Sequence, residues 1–177
     1  MVRPDAIEAE DYGAWFTSIG AWQMLFWVAL RGWLFARIGR TWLRLLLGNV
    51  VVVACGWAGY LLTGHVLGWP GARITATAGT AIGCVLLVST LFEAWPAIRW
   101  TPGPGRTLAV LSAVGLTVLL VRLLPKLAHA LAVPQPREWS WTTHVMLNAL
   151  STAVILHVVV WKRWPVRTPA MHLRARG

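Results

Sequence analysis

Glu93 is the residue in this chain whose setting most suggests chemistry. It stands in the stretch STLFEAWPAIRW (89–100), at the end of a long apolar run, two residues before Trp95-Pro96 and six before Arg99. If a helix ends near Trp95, the carboxylate lies where the helix macrodipole is already negative. It is also desolvated, and an acid at membrane depth costs about 2.5–3.5 kcal/mol on insertion scales. Both effects demand a cation or a proton. Arg99 is nearest in sequence, and Arg106 and His157 are expected at the same level. A proton- or ion-responsive carboxylate, or a metal ligand, is one reading of this group. A buried ion pair locking a helix end is the other.

Imidazoles offer a second chemistry. His65, His129 and His144 come from different segments, yet all three are expected near one face of the membrane. Histidines from several helices at one depth can bind copper, zinc or haem. His144, Asn148 and Ser151 fall at i, i+4 and i+7, which predicts a polar stripe along the last apolar run. His129 follows Pro125 and is expected in a loop. The chain has no His-x-x-His, Cys-x-x-Cys or Glu-x-x-His pattern, so no local motif supports a metal. It also has no phosphate-binding glycine loop, no nucleophile elbow and no metalloprotease helix. An enzyme is therefore not the expectation.

These residues must be positioned by helices in lipid. Of the 177 residues, 57% are hydrophobic and 12% charged, whereas soluble domains average about 25% charged. The mean hydropathy is +0.61. Thirteen tryptophans suit a chain with many membrane–water boundaries, where the ring is buried and its N–H stays wet. The net charge of +10 does not point to nucleic acid, because the cations lie between apolar runs and in the C-terminal tail. The acidic start, MVRPDAIEAEDYG, does not read as a cleavable signal peptide. Cys55 and Cys84 lie inside apolar runs and are expected to pack as small residues.

Spans are predicted at 45–69, 74–95, 107–124 and 141–161, and a further, Trp-rich segment at 12–30 either spans, the favoured reading, or lies in the interface. The segment 107–124 is the shortest and must extend through Arg122, whose guanidinium can snorkel. The fold class is all-α, a polytopic bundle of four or five transmembrane helices forming one domain. Residues 31–44 are expected to be a basic interfacial segment, with Arg37, Arg40 and Arg44 at helical spacing. "TPGPGR" (101–106) reads as a rigid turn.

Placing 31–44 in the cytoplasm puts Arg31, Arg37, Arg40, Arg44, Arg99, Arg106 and the tail 162–177 on that side. Arg73, Arg122, Lys126 and Arg137 fall outside. This distribution obeys the positive-inside rule and leaves the C-terminus cytoplasmic. The localisation expected is a multi-pass cell membrane protein, and the arginine-rich composition suits a bacterial one.

Trp-Pro recurs at Trp69-Pro70, Trp95-Pro96 and Trp164-Pro165, each followed by an arginine within four residues. Each pair is read as punctuation closing a span.

Only four residues, PGAR (70–73), separate the spans 45–69 and 74–95, which predicts an antiparallel hairpin. Thr75, Gly79 and Gly83, flanked by Ala76, Thr80 and Cys84, form a small-residue surface that lets helices approach closely. Cys55 and Gly59 are expected to answer from the preceding span, and Ala109, Ala113 and Thr117 from the following one. Packing within the chain, self-association and contact with other membrane subunits all use such surfaces. The functional expectation is a non-catalytic subunit or assembly factor of a membrane complex. The alternatives are a proton- or ion-coupled transporter using Glu93 and the polar stripe, and a metal- or haem-binding protein using the histidines.

Overall fold

Apolar runs whose backbone must satisfy its own hydrogen bonds in lipid have one local solution, the helix. A computed structural model, describing residues 9–92, 102–134 and 137–161, shows five of them and no strand among the described residues. Helix α1 comprises Ala9–Gln23 and a wider continuation at Met24–Ala29. Helix α2 is Thr41–Val66, α3 Gly71–Leu91, α4 Pro102–Ala130 and α5 Glu138–Val159. The last four are each long and apolar enough to cross a membrane. The chain is a multi-pass α-helical membrane protein.

The centre of the bundle is α3. Of its most apolar window 56% is buried, against 17% for α2, 17% for α4 and 22% for α5. Small residues make this possible. Ala76, Thr80 and Cys84 are fully enclosed, and a Cβ on Gly83 would lie 3.0 Å from the Met146 carbonyl oxygen of α5. A Cβ on Gly79 would reach Leu147 Cβ at 3.3 Å. Gly79 and Gly83 thus lie where α3 comes closest to α5. From α4, Ala109 and Ala113 are buried as expected, and Ala113 packs with Val85 of α3 and Ala29 of α1.

Pairing of α2 differs from the expected hairpin. The helices α2 and α3 run antiparallel from a short turn, but α2 packs along α1 and barely touches α3. Helix α1 occupies the space between them, with contacts to both. The small residues facing it are Gly48, Val52 and Gly56, four apart and all buried. A Cβ on Gly56 would come within 2.7 Å of Ile19 Cα, so the two backbones touch. Cys55 lies beside this stripe, against the Phe26–Phe35–Val52 cluster, and Gly59 faces the Trp22 indole. The expectation was right about the helix and one register step away from its tightest contact.

Two other boundaries moved. The span expected at 107–124 belongs to a helix of 29 residues, about 43 Å long at ~1.5 Å per residue. It begins at Pro102 inside "TPGPGR", since prolines in a first turn lose no intrahelical bond. It runs through Pro125 to Ala130, which places His129 in its last turn and not in a loop. Residues 31–40, by contrast, do not continue a basic helix. Arg31 and Gly32 take left-handed conformations, with φ of 52° and 64°. A short 3₁₀ turn follows at Trp33–Phe35, and Phe35 is buried in the core. The helical spacing of Arg37, Arg40 and Arg44 is thus not realised on one helix.

Opposite outcomes are expected for two glycine substitutions. Gly56→Ala forces α1 and α2 apart and should cost about 1–3 kcal/mol. Gly115→Ala has no atom within 4 Å to meet and should be neutral or gain up to about 1 kcal/mol from helix propensity. Unfolding midpoints in mixed detergent micelles measure both.

Candidate functional site

The helix ends at which α1, α3 and α5 begin and α2 and α4 finish share one face of the bundle. The features that gather there follow from how α3 starts. Its N-cap is Pro70, which makes no side-chain cap. Instead, Glu10 of α1 accepts a hydrogen bond from the Ala72 backbone N–H at 2.6 Å. A carboxylate at the positive end of the helix dipole stabilises both partners. Gly71 admits the approach, because a Cβ there would lie 3.0 Å from Glu10 Cγ and 3.2 Å from its carbonyl oxygen. Next to Glu10, Asp11 stands within electrostatic reach of the Tyr60 hydroxyl on α2.

One turn into α3, Arg73 folds back over the preceding tryptophan. Its guanidinium carbon lies 4.0 Å from the centre of the Trp69 ring and 5.5 Å from that of Trp139 on α5. Such cation–π contacts contribute ~0.5–2 kcal/mol, more where water is excluded. Arg73 Nε is buried and has no hydrogen-bond partner. Trp69-Pro70 is thus more than punctuation, since it ends one helix, starts the next and orients a cation. The other two Trp-Pro pairs lie outside the described residues.

Arg73, Trp69 and Trp139 border a cavity of about 480 Å³ between α3 and α4. Arg122 and Lys126, one turn apart on α4, complete a lining with three cations and no carboxylate. All three cations were expected at this face, but nothing in their spacing joins Arg73 to the other two. The usable signal was the i, i+4 pair Arg122–Lys126 beside an arginine placed by Trp-Pro.

Glu93 and Arg99 lie outside the described residues, so their pairing with His157 is not seen. His157 itself is half-buried, with its ring edge-on to Trp161 at 5.3 Å and Nε2 lacking a hydrogen-bond partner. Arg106 is half-buried on the first turns of α4.

The polar stripe does not form one face. His144 and Asn148 are exposed, and the His144 ring nitrogen Nδ1 lies 2.7 Å from the Ser140 carbonyl oxygen. Ser151 is buried and donates to the Met146 carbonyl at 2.9 Å, five residues back. The cause is the wide-turn stretch His144–Leu150. A wider turn takes more residues to come round, so a stripe laid out for 3.6 residues per turn slips off its face.

Nor do the histidines converge. His65 ends α2 against the Tyr60 ring, His129 ends α4, and His144 starts the wide turn of α5. Among the described residues no three His, Cys, Asp or Glu side chains gather at metal-binding distance. Most buried hydroxyls are satisfied locally, although Ser89 Oγ on α3 is buried without a hydrogen-bond partner. Ser18, Thr80 and Thr142 each donate to a carbonyl four residues back in their own helix, which satisfies them without an outside partner.

Removing the inter-helix cap should be costly. Glu10→Ala is expected to lower stability by about 1–2 kcal/mol, and Glu10→Gln, which keeps an acceptor without the charge, by less. The test is the unfolding midpoint of each variant.

No model of a known protein family matches the chain, and neither the curated proteins nor the solved structures show a significant match to it.

Proposed function

We propose that this protein is a non-catalytic membrane subunit or assembly factor that works by presenting helix faces to other membrane proteins. The observation that carries the reading is where polar side chains sit on the poorly buried helices. Asn49, in the third turn of α2, is exposed, and so are His144 and Asn148 on α5. Asn49 Nδ2 donates to the Leu45 carbonyl at 2.9 Å and the His144 ring meets the Ser140 carbonyl, but lipid tails offer nothing to the remaining polar atoms of these groups, whereas a neighbouring helix does. Beside Asn49, α2 also exposes Leu46, Val50, Val53 and Trp57, a surface of large side chains able to interlock with a partner.

The internal chemistry of the bundle favours the same reading. A proton or ion route would need polar groups on one inward face, and the last helix splits its own between the lipid side and the core. A metal or haem reading would need histidines that meet.

The orientation is part of the proposal. Arg31, Arg37, Arg40, Arg44 and Arg106 belong to the end of the bundle opposite the Arg73 cavity, and the three described acids, Glu10, Asp11 and Glu138, to the cavity end. By the positive-inside rule the arginine end is cytoplasmic, and the C-terminus with it. A green fluorescent protein fused after Gly177 should fluoresce in cells, and a dark but stable fusion would reverse the assignment.

Asn49→Leu and Asn148→Leu test the partner reading. Each should weaken association by roughly 0.6–2 kcal/mol, or about 3- to 30-fold, while leaving the fold intact. Native gels of membranes solubilised at ordinary expression levels read this as loss of a complex larger than the 19.5 kDa chain. A wild-type protein that runs as a lone monomer from such membranes would refute the reading.

A further inference from the structure

We propose that the groove between α3 and α4 binds one anionic phospholipid, with its phosphate held by Arg73, Arg122 and Lys126 and an acyl chain laid along α3 toward mid-membrane. The site is independent of the partner reading above.

The headgroup end is the cationic cavity. Its volume, about 480 Å³, falls within the ~300–1,000 Å³ of small-molecule sites. The Arg73 guanidinium lies over the Trp69 ring with Trp139 nearby. A guanidinium placed over a ring can keep N–H groups of its fork available for a tetrahedral oxyanion. The Arg73 Nε is desolvated and unpartnered, so the protein itself leaves part of this cation's hydrogen bonding unmet. Arg122 and Lys126 are exposed on the same cavity wall and add charge, and no carboxylate is among the residues lining it. Glu10 is engaged with the Ala72 amide and does not line the cavity.

What distinguishes a lipid from a soluble phosphate is the space below. A second cavity, about 220 Å³, opens between α1, α3 and α4 and is lined by Ala81, Val85, Ala113 and Val114, with Trp22 and Leu25 from α1. Thr117 lines both cavities. On α3, Arg73, Thr77, Ala81 and Val85 follow at four-residue intervals, so one helix face passes from the cationic to the apolar space. A free anion would occupy the upper part only. An amphiphile fills both, with tryptophans at the boundary where they are favoured.

The experiment uses the full chain reconstituted in nanodiscs and counts retained lipid by native mass spectrometry after release into detergent. The probes are phosphatidylglycerol at one part in five of phosphatidylcholine, pure phosphatidylcholine, and millimolar orthophosphate as competitor. One phosphatidylglycerol per chain should be retained, at least tenfold over phosphatidylcholine and undisturbed by orthophosphate. Arg122→Gln with Lys126→Gln should cut retention about 10- to 30-fold, since each cation near a lipid surface contributes roughly one kcal/mol. Both residues are exposed, so the fold survives. Ala81→Phe, which fills the apolar cavity and changes no charge, should reduce retention as well. Arg37→Gln with Arg40→Gln, at the opposite face, should leave it unchanged. Equal retention of the two lipids, or unchanged retention in the Arg122/Lys126 variant, overturns the proposal. Displacement by orthophosphate together with indifference to Ala81→Phe overturns it too, and makes the cavity a site for a soluble anion.

Discussion

The contact between α1 and its two neighbours is the constraint on which the bundle depends. Lipid tails are as apolar as the side chains they touch, so helices in a membrane are held by close packing and a few polar contacts, with little hydrophobic drive. Dispersion forces fade within an ångström of separation, and what matters is how near two backbones can come. Gly56 brings the α2 backbone against Ile19, and Gly71 brings the start of α3 against Glu10. The second approach also delivers the carboxylate that caps α3. With α3 fixed at its first turn and flanked by α1, its small residues form the surface on which α4 and α5 settle.

Much of this fold was legible in the sequence, and what was not has identifiable causes. Span positions follow hydropathy, which depends on composition over some twenty residues. The segment 12–30 is seen only as a helix, and the four membrane-length helices emerge within a few residues of expectation except for α4. There the prolines of "TPGPGR" and Pro125 pointed to breaks, but first-turn prolines cost nothing and α4 continues through Pro125. The packing role of Gly79 and Gly83 was visible because small residues four apart have few other uses in lipid. The partner of α2 was not visible, because short connections imply adjacency in the chain and say nothing of a third helix inserting between the two. Ser151 shows the finest failure. Its side was assigned on regular helical geometry, and one widened stretch, His144–Leu150, turned it from a stripe into the core.

Local motifs gained meaning only when set against distant ones. Trp69-Pro70 and Arg73 read alone as a span boundary, and the structure retains that role. It adds Trp139, sixty-six positions beyond Arg73, as a second aromatic surface over the same guanidinium. The cations at 122 and 126 join the group because α4 overshoots the membrane thickness and carries them to the level of α3's first turns. Three unremarkable boundary arginines and lysines thereby become a single positively charged recess.

That α2 leans on α1 and hardly on α3 bears on the order of assembly during synthesis. Helices α1 and α2 leave the ribosome before α3 and already hold each other's glycine-to-backbone seam, so they can enter the bilayer as a finished pair. The third then docks on the far flank of the first and inherits its cap from a chain segment made some sixty residues earlier. The bundle thus grows outward from the α1–α2 pair, with each later helix finding its seat already built.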